Sequence, residues 1–280
     1  MNRPRAATTG PSTAGNRGPA LSIETKRNHG KPGHFKRRRA QGRSRQVDSE
    51  ERLRHRAFPQ PRRTSRPVWH YMTLAKFIAL LDTRALFFCR LDRLGDDYEG
   101  RLPRRWRGEL PPAKEAAQTR RLRASCYVNC WNMSDDENEA LWRLYGAQEA
   151  SVAIRTTYAE LVHVLEQTAG VYLGLISYVD CPFEERRMTS DLAHVMHKRR
   201  AFKHEEEVRF VKVLGGVRPQ SARPDGLDVP VDLNRLVRGI YIDPYAPEWF
   251  EKIVRAVVSK FAPTLSNRVT WSSIKADPLS

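Results

Sequence analysis

The sequence predicts an α+β fold with a mixed or mostly antiparallel sheet, preceded by a disordered basic N-terminal tail. One observation supports the fold and a second supports the tail. Strand-like and helix-like segments alternate irregularly from about residue 67 to residue 275, without the regular strand-helix repeat that is typical of a parallel sheet. The excess positive charge is confined to one end, because residues 1–66 carry 18 Lys and Arg against four Asp and Glu, whereas residues 67–280 carry 31 against 28. We therefore divide the chain into a basic N-terminal tail, residues 1–66, and one domain, residues 67–275.

The tail is rich in Pro, Gly, Ser and Arg and has few apolar side chains. Such a segment cannot bury enough surface to offset the entropy of ordering it, so we expect residues 1–66 to be disordered. Its positive charge makes nucleic acid a predicted partner, through neutralisation of phosphates. The alternative is a solvated extension without a partner, which is common for blocks of like charge.

The first half of the domain alternates apolar strands with helices. Thr73 is in position to cap the first helix, and Asp135 or Asp136 to cap the third, which Gly146 would end. An acidic loop, DRLGDDYEGRLP, follows the second strand. The strands are VWHYM (68–72), ALFFCRL (85–91) and CYVNCW (126–131), and the helices are TLAKFIALLDT (73–83), residues 112–122 and a short one within DDENEALWRLYG (135–146).

The second half shows the same irregular alternation. Gly and Pro residues between about 215 and 224 indicate a loop before the segment GLDVPVDL (226–233). The predicted strands are SVAIRT (151–156), VYLGLISYV (171–179), the end of HEEEVRF (204–210), RGIYID (238–243) and RVTW (268–271), and the helices are YAELVHVLEQT (158–168), a charged one at about 185–201 and one near 247–260.

The chain shows no stretch as long and apolar as a membrane span, so we expect no membrane partner. Four cysteines, Cys89, Cys126, Cys130 and Cys181, lie in or beside apolar runs, which is typical of reduced thiols and favours a cytoplasmic protein. Phosphate-binding loops, dinucleotide fingerprints and nucleophile elbows are absent from the sequence. The cysteines and histidines lack zinc spacing, so we expect no metal site; the acidic loop with Asp96, Asp97 and Glu99 is predicted as a turn rather than a cation site.

The segment HEEEVRF is the strongest candidate for a functional site. On a strand, alternate side chains share a face, so Glu205, Glu207 and Arg209 would form a row with neighbours about 6.6 Å apart. The row has two interpretations. It is either a solvated set of ion pairs, or a site in which one carboxylate is held in a chosen protonation state by its charged neighbours.

Five fragments resemble, in the same order, the bacterial family catalogued as domain of unknown function 2971. The resemblance runs from about Val68 to Trp271 and supplies no activity. Members usually carry Asn-Asp-Pro-aromatic-Glu in the acidic loop, where this chain has Gly-Asp-Asp-Tyr-Glu at residues 95–99. The fragments are VWHYMTLAKFIALLDTRALFFCRLDRLGDDYEG, YVNCWN, LWRLYG, KRRAFKHEEEVRF and VDLNRLVRGIYIDPYA.

A more distant likeness concerns the layout of the site. A strand ending in His-Tyr-x-Thr, a helix, and a late strand with Glu-x-Glu resemble the ADP-ribosyltransferase folds, including bacterial enzymes that modify DNA. The resemblance implies that NAD is the substrate, that His70 binds its adenosine ribose beside Tyr71, that Glu207 binds the 2′-hydroxyl of the nicotinamide ribose, and that Glu205 orients the acceptor. Arg209 would keep Glu207 ionised or contact a phosphate. For the aromatic ring over the nicotinamide, the candidates are Phe87, Phe88 and Tyr98.

These observations lead to two hypotheses from different classes. The first is an NAD-consuming, ADP-ribosyltransferase-like enzyme that acts on protein or nucleic acid. The alternative is a non-catalytic binding module whose acidic loop and charged strand form a partner surface. If His70 and the Glu205–Glu207 face converge on one concave pocket, the enzyme is favoured; if they lie on opposite sides of the sheet, the enzyme hypothesis fails.

Overall fold

The computed structural model describes residues 55–101, 111–145, 151–180, 191–215 and 223–275, and it confirms the α+β class with a mixed, mostly antiparallel sheet. The strands are β1 (Pro67–Thr73), β2 (Ala85–Arg90), β3 (Cys126–Met133), β4 (Ser151–Thr157), β5 (Val171–Leu175), β6 (Ser177–Val179), β7 (His197–Arg199), β8 (Glu207–Val213), β9 (Gly226–Pro230), β10 (Gly239–Ile242) and β11 (Val269–Trp271). The α-helices are α1 (Leu74–Thr83), α2 (Pro112–Ser125), α3 (Glu139–Tyr145), α4 (Tyr158–Gln167), α5 (Asp191–Val195), α6 (Leu233–Leu236) and α7 (Trp249–Phe261).

Nine of these strands form one sheet, and β3 is its central member. On one side of β3 the order is β1, β4, β10, β11, and on the other side it is β8 and then β5. The pairings are antiparallel except for β10 with β11. The strands β6 and β7 form a separate parallel pair. Strands that are distant in the sequence therefore meet at β3.

The two faces of the sheet cover two different cores, as alternation along the strands requires. On the main face, Trp131, Val208 and Phe210 pack with residues of α1, α4 and α7. On the second face, Val128 and Val211 pack with a smaller group that includes Val195. The side chains of Glu207 and Arg209 project on this second face, because they alternate with Val208 and Phe210.

The edge of β3 that faces β1 is divided between two strands. β1 pairs with β3 at Asn132 and Met133, whereas β2 pairs with it at Tyr127 and Val128. Residues 129–131 of β3 pair with neither strand, so β1 and β2 separate along this stretch. The result is a gap at the centre of the sheet.

The segment from residue 55 to residue 66, which the sequence assigned to the tail, packs on the domain. Phe58 is 2% exposed, stacks on Tyr172 and lies so close to Gly174 that a Cβ there would come within 2.8 Å of the Phe58 backbone. Gln60 donates to the carbonyl of Leu173. The folded part therefore includes residues 55–66, which corrects the predicted boundary at residue 67; residues 1–54 lie outside the described residues.

Two predicted elements differ from the structure. The charged helix expected at about 185–201 is reduced, in its described part, to the single turn of α5, followed by β7 and a 3₁₀ segment, Arg200–Glu205. The single strand expected over 171–179 is two strands, β5 and β6, which pair with different partners because the chain leaves the main sheet at Ile176.

The helix starts test the predicted caps. Thr73 caps α1 as expected, since its hydroxyl accepts the N–H of Lys76. At α3 the cap is Asn138, whose side chain accepts the N–H of Leu141, rather than Asp135 or Asp136. Gly146 and Cys181 lie outside the described residues. No helix within the described ranges has the length and apolar character needed to cross a membrane.

Candidate functional site

A cleft of about 580 Å³ opens where β1 and β2 separate along β3. Ligand sites usually occupy clefts of this size. Its walls come from β1, α1, β2 and the segment after it, β3, the end of α3, the start of β8 with the residues just before it, and Asp228 of β9. Among the predicted site residues, the lining includes His70, Tyr71, Glu205 and Glu207.

On the β1 side of the gap, the side chain of His70 bonds to β3. Its Nδ1 lies 2.7 Å from the carbonyl oxygen of Cys130, which can only accept, so Nδ1 carries the proton and donates. Burial lowers the pKa of His70 to about 4, against the opposing effect of this hydrogen bond. The ring is therefore neutral at pH 7, and its Nε2 is an acceptor suited to a ligand hydroxyl.

The β2 side of the gap is held by Asn129. Its Nδ2 donates to the carbonyl of Phe87 at 3.0 Å, and its Oδ1 accepts the indole N–H of Trp131 at 2.7 Å. Side-chain hydrogen bonds from His70 and Asn129 thus bridge the places where the backbone ladder is interrupted. Hydrogen bonds therefore stabilise the sheet on both sides of the gap.

Glu207 lies at the centre of a buried group of five charged side chains, which we name the charged cluster: Glu99, Lys198, Glu205, Glu207 and Arg209. Arg209 Nε and Nη2 lie 2.6 and 3.0 Å from the two oxygens of Glu207, and Nη2 also lies 2.7 Å from Glu99. Lys198 Nζ lies 2.5 Å from Glu205, 3.2 Å from Glu207 and 3.5 Å from Glu99. All five residues are at most 8% exposed, which excludes the solvated interpretation of the row.

The charged cluster keeps Glu207 ionised. Burial by itself would raise the pKa of this carboxyl, but Arg209 and then Lys198 outweigh burial and lower the pKa to about 2. The same carboxylates raise the pKa of Lys198, which burial alone would lower. With three carboxylates and two cations the formal charge is −1, and the uncompensated charge lies beside the cleft.

Glu205 reaches the charged cluster by a different route from the one predicted. β8 begins at Glu207, and Glu206 has a positive φ of 37°, so strand alternation does not extend back to Glu205. Glu205 ends the 3₁₀ segment instead, and Lys198 brings its carboxylate beside Glu207. The predicted single row of Glu205, Glu207 and Arg209 is therefore wrong for Glu205, although the three residues do meet.

The two carboxylates on the cleft wall differ in how many acceptor positions are occupied. A carboxylate has about four such positions. Glu207 accepts three hydrogen bonds, two from Arg209 and one from Lys198. Glu205 accepts from Lys198 and, at 3.3 Å, from the hydroxyl of Tyr145. Glu205 thus has more room than Glu207 for a ligand hydroxyl.

The remaining predicted residues are divided between the cleft and other places. Arg209 is 1% exposed and lies beneath Glu207, so it holds that carboxylate and does not line the cleft. Tyr71 lines the cleft, and its hydroxyl accepts the N–H of Asn138. Tyr98 stacks on Arg199 and Arg101 away from the cleft.

The aromatic candidates also differ in their exposure and in whether they line the cleft. Phe88 is fully buried in the main core, whereas Phe87 is 55% exposed and lines the cleft. The ring of Phe87 lies against Gly226, where a Cβ would come within 2.0 Å of it. Of the three aromatic candidates, Phe87 is therefore the one that offers an open ring face to a ligand.

Several residues of the site were not identified from the sequence. Lys198 lies in HKRRAFKHEEE among charges that look equally solvated, and no local pattern distinguishes it. Glu99 was predicted to be part of a turn, and Tyr145 was not assigned to the site. Asn132 lines the cleft, donates to the carbonyl of Glu205, and within the described residues its buried Oδ1 accepts no hydrogen bond.

In comparisons with known proteins, no family model, no curated protein and no solved structure matches this chain.

Proposed function

We propose that this protein is an NAD-consuming, ADP-ribosyltransferase-like enzyme whose active site is the cleft between β1 and β2. One observation carries the proposal. The resemblance assigned His70, Glu205 and Glu207 to one site, and all three line this cleft, although His70 and Glu207 project from opposite faces of the sheet and Glu205 precedes β8. Because β1 and β2 separate, residues from both faces of the sheet can line the cleft.

The proposed reaction breaks the bond between C1′ of the ribose and the ring nitrogen of nicotinamide. Nicotinamide leaves with the bonding electron pair, which neutralises its positive ring and leaves oxocarbenium character on the ribose. An acceptor oxygen or nitrogen then bonds to C1′ and releases its proton to solvent. The products are nicotinamide, the ADP-ribosylated acceptor and one proton.

A negative site lowers the barrier to this reaction, because positive charge develops on the ribose in the transition state. The charged cluster makes the site negative, since Glu207 is ionised at neutral pH and the formal charge of the cluster is −1. We propose that an open acceptor position of Glu205 accepts a hydrogen bond from the ribose 2′-hydroxyl. Glu207 stabilises the positive charge on the ribose electrostatically. The resemblance, by contrast, implied that Glu207 binds this hydroxyl and that Glu205 orients the acceptor.

The other walls of the cleft suit the rest of the ligand. The neutral Nε2 of His70 accepts from the adenosine ribose, and Phe87 offers a ring face for stacking on nicotinamide. We propose that Tyr71 supports the wall through its bond to Asn138, and that Tyr98 takes no part in binding.

The test is release of labelled nicotinamide from NAD. We expect Glu205→Gln and Glu207→Gln each to reduce release by at least tenfold, because each removes a charge from the site and keeps the shape. Glu248→Gln, at an exposed position before α7, is the matched control and should release nicotinamide at the wild-type rate. Equal release by wild type and Glu207→Gln would remove Glu207 from the mechanism.

The rival function is a non-catalytic binding module, and one observation favours it. Both oxygens of Glu207 accept hydrogen bonds from Arg209 or Lys198 within the charged cluster, as in a structural ion-pair network. Under this alternative the wild-type protein would release no nicotinamide above the background of NAD hydrolysis. Membership of the family of domain of unknown function 2971 stays a prediction under both functions.

A further inference from the structure

A second pocket lies between α2 and the acidic loop and shares no lining residue with the cleft. Its volume is about 550 Å³, which is within the range of sites for small ligands. The charged residues of its lining are three arginines and one glutamate: Arg101, Arg120, Arg123 and Glu115. The pocket is therefore predominantly basic, in contrast to the charged cluster.

Two separate segments bring the arginines to this pocket. Arg120 and Arg123 lie three positions apart on α2, and this spacing places both side chains on the helix face that lines the pocket. Arg101 comes from the acidic loop, which follows β2. The meeting of the three guanidinium groups is therefore a result of packing between the loop and the helix.

The acidic loop holds the side chain of Arg123. Nη1 of Arg123 donates to the carbonyl of Asp97 at 3.2 Å. Gly100 lies against the stem of the same side chain, since a Cβ at this glycine would come within 3.0 Å of Arg123 Cγ. The side chain of Arg123 is only 11% exposed, so its guanidinium group is fixed between the loop and the helix.

One edge of the Arg123 guanidinium group lacks an acceptor. Its Nε and Nη2 atoms are buried, and within the described residues neither has a hydrogen-bond partner. The same two nitrogens bind both carboxylate oxygens of Glu207 in Arg209, and both carboxylate oxygens of Asp96 in Arg199. Because a buried donor without an acceptor costs free energy, this edge favours an oxyanion that accepts two parallel hydrogen bonds.

The charges around this edge leave an excess of positive charge. Arg101 and Arg120 are exposed, and among the described residues no carboxylate lies within 4.0 Å of either guanidinium group. Glu115 is eight residues before Arg123, about 12 Å along the helix axis. The carboxylate of Asp97 is 82% exposed and lies 3.6 Å from Nη1, not from the edge without an acceptor. Three arginines and these two carboxylates give a formal charge of +1.

We propose that this pocket binds the phosphate group of a small ligand. Arg123 donates from its Nε–Nη2 edge to two phosphate oxygens, and Arg101 and Arg120 supply further positive charge. A phosphate monoester carries a charge of about −1.5 to −2 at pH 7, so it suits three guanidinium groups better than a single carboxylate does. The volume of about 550 Å³ also leaves space for an organic group on the phosphate. This site does not depend on the proposed function of the cleft.

The experiment is a calorimetric titration of the full chain with inorganic phosphate, ribose 5-phosphate and ribose. We expect both phosphate probes to bind and ribose, which lacks the phosphate, not to bind. Arg120→Gln removes a charge at an exposed position, and Arg123→Lys keeps the charge but removes the planar edge. Each variant should raise the Kd for both phosphate probes by about tenfold, the effect of losing one bond to a charged group.

Arg121→Gln is the matched control, because it removes an exposed arginine of the same helix that does not line the pocket, and it should bind phosphate like the wild type. Tighter binding of ribose 5-phosphate than of inorganic phosphate would support the site and identify an organic phosphate as the ligand; equal binding would support the site with free phosphate as the ligand. The site is overturned if the wild type binds neither phosphate probe, or if Arg120→Gln or Arg123→Lys binds them with the wild-type Kd.

Discussion

At the scale of single residues, Lys198 links the carboxylates of the charged cluster. Its ammonium group contacts all three carboxylates of the charged cluster and is almost fully buried. Burial disfavours a charged lysine, but Glu207 and Glu99 more than offset this effect and raise its pKa. The five groups are therefore stable together, and removing one leaves the others with unpaired buried charge.

We predict that Lys198→Met lowers the free energy of unfolding by about 3–5 kcal/mol, because breaking a buried ionic network leaves carboxylates without a counter-charge. Urea unfolding at pH 7 measures the loss. Lys252→Met, which changes an exposed lysine on α7, should stay within about 0.5 kcal/mol of the wild type. Equal stability of the two variants would show that the charged cluster is not held by Lys198.

His70 gives the domain a defined pH dependence. Its pKa is about 4 in the folded protein, below the value of about 6.5 for an unfolded chain. Between these pH values the unfolded chain binds the extra proton, so the free energy of unfolding decreases as the pH falls, by on the order of 3 kcal/mol at pH 4. The stabilisation is fully present above pH 6.5.

His70→Gln keeps a donor for the Cys130 carbonyl but does not titrate. We therefore expect the difference in unfolding free energy between wild type and His70→Gln to shrink or reverse from pH 7 to pH 4.5. Chemical unfolding of both proteins at the two pH values measures this difference. A difference that is the same at both pH values would mean that the ring is already protonated or solvated.

At the scale of elements, β3 organises the molecule. It pairs with β8 from Cys126 to Asn132, which brings Glu207 and Arg209 to its second face, while its other edge is shared by β1 and β2. A strand with two partial partners on one edge creates an opening without breaking the sheet. The cleft is therefore a property of strand pairing, and His70 and Asn129 replace the missing backbone bonds.

The segment of residues 55–66 acts as a further element of the fold. Phe58 fills a place between Tyr172 and the backbone of Gly174 on β5. We predict that Phe58→Ala destabilises the protein by about 3–5 kcal/mol, as expected for a buried phenylalanine. Thermal unfolding compares it with Leu144→Ala, an exposed position on α3 that should change little; equal effects would show that the segment contributes nothing to stability.

At the scale of the whole molecule, charge divides the chain into two parts. Residues 1–54 carry 14 Lys and Arg against four Asp and Glu, and we infer that nucleic acid binding, if the chain binds it, depends on them. We predict that removing residues 1–54 abolishes salt-sensitive binding to a mixed-sequence DNA duplex, measured by fluorescence anisotropy at several salt concentrations. Undiminished binding by the shortened chain would assign the contact to the domain.

Most of the fold could be predicted from local patterns. The apolar alternation of β1, β3 and β8, the period of α1 and α4, and the cap at Thr73 all depend on residues within a few positions of one another. The errors arose where local patterns compete with tertiary packing. The charged stretch around 185–201 has the composition of a solvated helix, but in the described part β7 pairs with β6 and buries Lys198.

The sequence by itself determined the α+β class, most element positions and the candidate residues His70, Glu205, Glu207 and Arg209. Only the tertiary structure decided that Glu205, Glu207 and Arg209 are buried, that Glu99 and Lys198 join them, and that β1 and β2 separate so that His70, Glu205 and Glu207 line a cleft. The physical reason is that the protonation and burial of a charged group depend on partners that pairing of distant strands brings near. Neighbours in the sequence do not specify those partners.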